Sequence, residues 1–252
     1  PGASAPTYAT YFCYGTLARS ANEAEKLVAE GKHFAVMGMV NAWSLGPNLT
    51  WLPELFERGL RNIALTHAGH NQFADSSRPA ARLNDGVLEH AGLSRLGRDL
   101  IVKINDLGII VDVSQITPPA VLQAAELSRV PVIASHSGVR NIIDVTRNLT
   151  DAEMLAIKKT GGAVGIVAYS TYLKETPPGK RAASAAIVSE YGTTNLARAI
   201  ATLPGDKVET FKVAITNFEQ QFPRATVAQL VDAIVYTADL LGVDHVMISS
   251  DM

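Results

Sequence analysis

Short apolar runs alternate along the chain with longer stretches in which apolar residues recur at helical spacing. The short runs are rich in β-branched residues and nearly continuous, which is typical of parallel strands covered on both faces. Seven strands are predicted, over residues 8–14, 34–40, 62–67, 109–114, 130–135, 163–168 and 245–250. The pattern therefore predicts an α/β fold built on a parallel sheet.

Helical spacing, capping residues and closing glycines predict the helices that separate these strands. The clearest helices are predicted over residues 20–30, 49–58, 93–107, 118–129 and 227–241, and one more begins at the capping box of Thr150 and Glu153. Residues 170–224 are less regular and contain two predicted helices, over about 183–201 and 206–220. We expect this region to form a helical insertion or lid over the mouth of the sheet.

Polar side chains stand at or just beyond the ends of four predicted strands, at His67, Gln115, His136 and Asp251. Seven strands with right-handed crossovers allow a closed barrel or an open doubly wound sheet. No Gly-x-Gly-x-x-Gly or P-loop motif follows a predicted strand, which disfavours an open nucleotide-binding sheet. Polar groups that converge from several different strand ends favour the barrel.

Composition excludes several classes of function. The net charge is −2 and no long run carries one sign, so nothing indicates a nucleic-acid partner or a membrane-surface footprint. No apolar stretch approaches the length of a transmembrane helix. The single cysteine, Cys13, excludes an internal disulfide, and its apolar surroundings predict a buried, inert thiol.

Six segments carry a more specific pattern. They are 65–76 (Leu-Thr-His-Ala-Gly-His-Asn-Gln-Phe-Ala-Asp-Ser), 92–97 (Gly-Leu-Ser-x-x-Gly), 112–114 (Asp-Val-Ser), 135–137 (Ser-His-Ser), 147–148 (Arg-Asn) and 250–251 (Ser-Asp). In this order and at these spacings, from about residue 8 to 252, the chain resembles the membrane (renal) dipeptidase family, peptidase family M19. The resemblance implies a single (β/α)8 TIM barrel of the metallo-dependent-hydrolase type over 1–252, and we expect its first strand and last helix to lie outside this chain.

The resemblance also implies a reaction and roles for four residues. Family members usually hydrolyse dipeptides, often with a D-residue at the C-terminal position, at a two-zinc centre. By resemblance, His136 falls on a zinc ligand and His67 on a histidine that contacts the substrate and the tetrahedral intermediate. Arg147 falls on the arginine that holds the substrate carboxylate, and Asp251 on the aspartate that manages the proton of the attacking water. These roles suit the chemistry of the side chains.

The metal ligands of the family are only partly present. No His-x-Asp pair, which the family carries on its first strand, occurs in the chain. Val40 stands where the resemblance places the glutamate that bridges the metals, and Gln115 where it places the second zinc histidine. Two dications about 3.5–4 Å apart repel each other by roughly 17–19 kcal/mol at an effective dielectric constant near 20, and a valine cannot offset that. These substitutions argue against an intact two-zinc centre.

Two functions stay open. The first is a dipeptidase-like metallohydrolase acting on a dipeptide or short peptide, with His136 on a metal. The second is a degenerate homologue that binds a peptide or acts in the maturation of a peptide natural product, such as a siderophore in the periplasm. The resemblance favours export to the periplasm or secretion, and a homodimer. We expect His70 and His90, which lie in predicted loops, to be solvated or to order their loop, and Asp112 to be a buried hydrogen-bonded group.

Overall fold

The computed structural model describes residues 16–194, 196 and 199–251. The strands are β1 Thr16–Leu17, β2 Phe34–Ala35, β3 Met37–Met39, β4 Leu60–Ala64, β5 Ile110–Asp112, β6 Val132–Val139, β7 Asn148–Leu149, β8 Ala163–Val167 and β9 Val246–Ser249. The helices are α1 Ala21–Ala29, α2 Leu52–Glu57, α3 Arg95–Leu107, α4 Pro118–Leu127, α5 Asp151–Lys159, α6 Ser170–Leu173, α7 Lys180–Tyr191, α8 Gly205–Gln221 and α9 Val227–Leu241. The alternation confirms the predicted α/β class.

The chain divides into two compact units. The first contains the residues up to Ala134 together with Ala156–Gly162, and the second contains Ser135–Leu155 and the residues from Ala163 onward. Strand β6 begins in the first unit and ends in the second, since its residues span the boundary. The single barrel domain over 1–252, and the lid formed by 170–224, stay predictions.

The first unit is built on parallel strands. Strand β3 pairs with β4, β4 with β5, and β5 with the beginning of β6, while β1 and β2 form a separate parallel pair. Helix α3 buries Leu100, Ile101 and Ile104 completely, the face that its sequence spacing predicts. Burying each of these side chains contributes about 1.5–3 kcal/mol. The hydrophobic effect thus holds this helix against its unit.

The segment 92–97 carries its serine and glycines for reasons of backbone geometry. Ser94 is the N-cap of α3, and its hydroxyl accepts a hydrogen bond from the N–H of Gly97 at 3.0 Å. A Cβ on Gly97 would lie only 2.0 Å from the carbonyl oxygen of Phe73, so the helix approaches that backbone more closely than any side chain allows. Gly92 has a φ of +119°, which strains residues with a side chain.

The second unit contains two parallel strand pairs. Gly138 and Val139 at the end of β6 pair with β7, and β8 pairs with β9 along four residues. Helix α9 begins at a capping box formed by Thr226 and Gln229. The capping box predicted at Thr150 is also present, since Glu153 accepts from both the N–H and the hydroxyl of Thr150.

Two strand boundaries differ from the predictions in a way that affects the site. The third predicted strand ends at Ala64, so His67 lies three residues beyond it rather than at its end. The fifth continues to Val139, so His136 lies inside the strand. The extension of β6 has a tertiary cause, because β7 supplies a pairing partner for Gly138 and Val139 that no local pattern reveals.

The predicted helices of 170–224 are present with different bounds. Helix α7 ends at Tyr191 because Gly192 adopts a left-handed conformation, with a φ of 65°. The predicted strand at 8–14 and Cys13 lie outside the described residues. Within the part of the chain that the structure describes, no helix combines the length and the apolar character that crossing a membrane requires.

Candidate functional site

A buried hydroxyl connects three segments of the first unit. The Oγ atom of Ser76 lies 2.5 Å from the carbonyl oxygen of His67 and 3.3 Å from that of Gln115. It also accepts a hydrogen bond from the N–H of Arg78 at 3.1 Å. A hydroxyl carries one hydrogen, so it donates to one carbonyl at a time, and the His67 oxygen is the nearer. His67, Gln115 and Arg78 therefore lie close together, and the side chain of His67 is exposed.

Gln115 is buried in a strained conformation. It is 3% exposed and has a φ of +73°, in the left-handed region. Such a conformation costs about 1–3 kcal/mol in a residue other than glycine. Two hydrogen bonds to its carbonyl oxygen hold it there, from the hydroxyl of Thr66 at 3.1 Å and the N–H of Ser77 at 2.8 Å. The surrounding loop thus determines where the amide side chain lies.

The side chain of Gln115 is bonded to the side chain of an arginine. Its Oε1 atom accepts a hydrogen bond from Nη2 of Arg78 at 2.9 Å. A metal ion bound to that oxygen would have to displace the guanidinium or lie beside it. A single charge and a dication about 4 Å apart repel by about 2 kcal/mol in water and about 8 kcal/mol at an effective dielectric constant of 20. The contact therefore opposes metal binding at Gln115.

Val40 directly follows β3 and offers no donor atom. Its side chain is 54% exposed. The next residue, Asn41, accepts a hydrogen bond at Oδ1 from Nδ2 of Asn71 at 3.0 Å, and Asn71 also donates to the carbonyl of Leu65 at 2.7 Å. The segment after β3 is thus tied to the loop that carries His67, with an apolar side chain where the resemblance places a carboxylate.

The carboxylate of Asp75 stabilises the loop between β4 and α3. Its carboxylate is fully buried and accepts hydrogen bonds from the N–H groups of Glu89, His90 and Gly92 at 2.8–3.2 Å. A carboxylate that accepts several backbone N–H bonds substitutes for the hydration that burial removes. This residue thereby joins the two ends of the connection between β4 and α3.

His70 and Asp85 complete the same loop. Nδ1 of His70 accepts from the N–H of Ser76 at 2.9 Å, so its Nε2 carries the proton and donates to the carbonyl of Gly86. The N–H groups of Ala80 and His70 both donate to Asp85 at 2.8 Å, and the bond from Ala80 is the largest cause that lowers the pKa of Asp85 below 3.8. His70 is buried, so of the two expectations for it, solvation or ordering of its loop, the second is confirmed.

Two predicted site residues meet in the second unit. Nη2 of Arg147 donates to the carbonyl oxygen of His136 at 2.8 Å. Nδ1 of His136 lies 2.7 Å from the hydroxyl of Ser135, and the guanidinium carbon of Arg147 lies 5.2 Å from the ring centroid of Tyr172. Both His136 and Arg147 are buried. The arginine is thereby held by a carbonyl and an aromatic ring.

The side chain of Asn148, next to Arg147, bonds to several backbone carbonyl groups. Its amide nitrogen lies 2.9 Å from the carbonyl oxygens of Ile143 and Tyr172 and 3.2 Å from that of Val139. A Cβ on Gly138 would come within 2.3 Å of the Asn148 side chain, so only glycine fits opposite it. These contacts give a packing reason for the Arg-Asn pair and for the glycine in Ser-His-Ser-Gly.

Asp251 lies two residues beyond β9 and is exposed. Its φ is +54°, a left-handed conformation that aspartate tolerates better than most residues. Asp112, by contrast, is buried and accepts a hydrogen bond from the N–H of Ser114 at 2.9 Å, as the sequence predicts. The catalytic and binding roles of His67, His136, Arg147 and Asp251 stay predictions.

The described side chains do not fit a two-zinc centre. Across residues 16–194, 196 and 199–251, no three His, Cys, Asp or Glu residues are grouped so that they could hold a metal ion. Val40 lacks a donor, and the amide oxygen of Gln115 is bound to Arg78. Zinc sites are normally built from three or four nitrogen, sulfur or carboxylate ligands.

Comparison with known proteins identifies the family. Residues 13–252 match the membrane dipeptidase family, peptidase family M19. The crystal structure of the probable dipeptidase PvdM from Pseudomonas aeruginosa is 36% identical, with a TM-score of 0.77 over 94% of this chain and 62% of that one. A curated relative, the uncharacterized dipeptidase C3A11.10c of Schizosaccharomyces pombe, is 32% identical over 57% of this chain and 34% of its own length. The chain belongs to the M19 family, as predicted.

The comparisons also confirm the fold. A metallopeptidase from Rhodobacter sphaeroides, solved with a phosphinate mimic of L-Ala-D-Ala, is 21% identical and superposes with a TM-score of 0.68 over 95% of this chain. M19 dipeptidases are TIM-barrel metallohydrolases, so the predicted fold class is confirmed. Peptidases of this family depend on a metal, usually zinc. The chain spans about a third of the length of the curated relative and 62% of PvdM.

Arg78 is a member of the hydrogen-bonded cluster around Ser76 that the sequence patterns do not indicate. It stands two positions beyond the run 65–76, and no residue type or spacing there indicates a contact with Gln115. The contact depends on the loop held by Ser76 and Asp75, whose hydrogen bonds connect positions far apart in the chain. The only signal in the sequence is a basic residue close to a candidate histidine.

Proposed function

We propose that this protein is a dipeptidase-like hydrolase that acts on the amide bond of a dipeptide or a short peptide. The observation that carries the proposal is family membership over residues 13–252. The similarity to PvdM, which is described as a probable dipeptidase, supports the same class of reaction.

Three residues receive proposed roles. Arg147 binds the terminal carboxylate of the peptide, because a guanidinium offers two parallel donors and this one is already held by His136 and Tyr172. His67, whose side chain is exposed, donates a hydrogen bond to the substrate.

Asp251 accepts the proton of the attacking water and passes it to the leaving amine. Its carboxylate is exposed and therefore open to water and substrate. Zinc is the metal that the family leads us to expect, with His136 as the ligand that this chain offers. The assignment of zinc to this protein is part of the proposal.

A second candidate is favoured by Val40 and by the contact between Arg78 and Gln115. In this alternative the protein is a degenerate homologue that binds a peptide without hydrolysing it. It would then act in the maturation of a peptide natural product, such as a siderophore, in the periplasm. Export from the cytoplasm and a homodimer remain part of the proposal and follow from family resemblance alone.

Incubation of the full-length protein with Gly-D-Phe and with L-dipeptides, with and without added zinc, tests the proposal. We expect release of free amino acids, and an Asp251→Asn variant should lower the rate by about a hundredfold or more. Asp244→Asn is the matched control, because Asp244 is exposed in the turn before β9. Peptide binding without turnover would favour the second candidate, and neither binding nor turnover would contradict both.

A further inference from the structure

The guanidinium of Arg78 is held by a hydrogen bond, but no carboxylate of the described residues pairs with its charge. Its side chain donates to Gln115, and within the described residues no ion pair includes Arg78. Other exposed arginines of the chain, such as Arg58 and Arg129, pair with carboxylates. A guanidinium has five N–H donors, and the single bond to Gln115 uses only one of them. Arg78 can therefore receive an anion without breaking an ion pair.

The position of Arg78 is determined by its backbone as well as by its side chain. Its carbonyl oxygen accepts from the N–H of Gly69 at 2.8 Å, and its N–H donates to Ser76. Gln115, which accepts from the guanidinium, is itself buried and held by the loop. Binding costs less conformational entropy when a side chain is already oriented. Arg78 is thus an exposed residue whose guanidinium is oriented before a ligand arrives.

Arg78 also lies close to a residue proposed to contact the substrate. The hydroxyl of Ser76 bonds to both the His67 carbonyl and the Arg78 N–H. The backbones of His67 and Arg78 are thus held side by side, and both residues are exposed. The anions that peptides offer are the terminal carboxylate and the acidic side chains, and a guanidinium fork matches carboxylate geometry.

We propose that Arg78, oriented by Gln115, binds a side-chain carboxylate of the peptide and makes this site selective for acidic peptides. The inference rests on the proposed peptide-binding function and extends it by naming the class of peptide that is bound. It also gives Gln115 a role, because its side chain orients the guanidinium of Arg78 instead of binding a metal ion.

Binding of a matched pair of peptides to the full-length protein tests this inference. Isothermal titration calorimetry is performed with Ala-D-Glu and Ala-D-Gln, which have nearly the same shape and differ in one charge. We expect the wild-type protein to bind the Glu peptide about tenfold more tightly, as one charge-assisted hydrogen bond allows. Equal binding of the two peptides would overturn the inference. Failure to bind either would contradict the proposed function instead.

Two variants separate ligand binding from a merely structural contact. Arg78→Met removes the charge, and the preference for the Glu peptide should fall close to 1. Gln115→Glu keeps the size of the side chain and gives Arg78 an internal carboxylate, so it should preserve the contact yet also abolish the preference. Arg82→Met, an exposed arginine of the same loop, is the matched control and should keep the wild-type preference. An undiminished preference in Gln115→Glu would overturn the inference even if Arg78→Met failed to fold.

Discussion

The guanidinium of Arg147 donates a hydrogen bond to the backbone carbonyl of His136 at 2.8 Å. The two residues are eleven positions apart, and the end of β6, just after His136, pairs with β7, which begins directly after Arg147. The arginine that the resemblance assigns to the substrate carboxylate is therefore positioned by the same strand that carries the only histidine assigned to a metal. A substitution at either residue should therefore alter the position of the other.

Arg147→Lys tests the proposed recognition of the terminal carboxylate. Lysine keeps the charge but cannot offer two parallel hydrogen bonds, so the preference for a dipeptide over its C-terminal amide should fall by about tenfold. Binding of the two peptides to the full-length variant measures this preference. Arg140→Lys, a half-buried arginine of the same segment, serves as the control. An unchanged preference in Arg147→Lys would assign the carboxylate to another residue.

Asp75→Asn tests the loop that carries His67. The substitution removes the buried charge and directs an amide N–H toward backbone N–H donors, so it should lower the free energy of unfolding by about 2–4 kcal/mol. Urea denaturation measures the change. Asp99→Asn, on the exposed face of α3, should change it by less than about 0.5 kcal/mol. Equal effects of the two substitutions would show that the buried contacts of Asp75 contribute little.

Gly97→Ala tests the close approach of α3 to Phe73. A Cβ at position 97 would lie 2.0 Å from a backbone carbonyl oxygen, so the helix must move, and we expect a loss of about 2 kcal/mol or more of unfolding free energy. Gly205→Ala, at the start of α8, has no atom within 4 Å of the added Cβ and should leave stability unchanged or slightly raised. Thermal unfolding of both variants compares them directly, and a neutral Gly97→Ala would refute the close contact.

Asp85 makes stability depend on pH in one direction. The N–H groups of Ala80 and His70 lower its pKa in the folded protein below 3.8, its value in an unfolded chain. The ionised group therefore contributes stability that is fully present above about pH 4 to 5 and is lost as the pH falls through the folded pKa. The stability difference between the wild type and Asp85→Asn should be largest near neutral pH and shrink below 3.8. Denaturation curves from pH 3 to 7 measure it, and a difference that grew on acidification would contradict the assignment.

Local patterns in the sequence predict the helices whose ends are determined by their own residues. Helices α3 and α9 follow the predicted bounds within two residues, because their apolar spacing, N-caps and closing glycines agree with one another. The end of β6 could not be predicted in this way, because its pairing with β7 depends on residues ten positions away. Helix α7 was predicted too long, since Gly192 lies within an alanine-rich stretch of weak periodicity.

Part of the candidate site can be predicted from the sequence in the same way, and part of it cannot. Six short segments identify the family because their order along the chain is specific, and the substitutions at Val40 and Gln115 are visible in the sequence alone. What Gln115 contacts is not visible there. Its left-handed backbone and its bond to Arg78 arise from a loop of more than twenty residues, whose path is determined by buried hydrogen bonds rather than by local propensity.

The central claim is that Gln115, whose amide oxygen is bonded to the guanidinium of Arg78, stands where the resemblance places the second zinc histidine. Elemental analysis of the full-length protein, purified with added zinc, tests it most directly. A Val40→Glu/Gln115→His variant, which restores two donors and frees Arg78, should bind about one zinc ion per chain more than the wild type. The account predicts fewer than two zinc ions per chain in the wild-type protein, and a stoichiometry of two would contradict it.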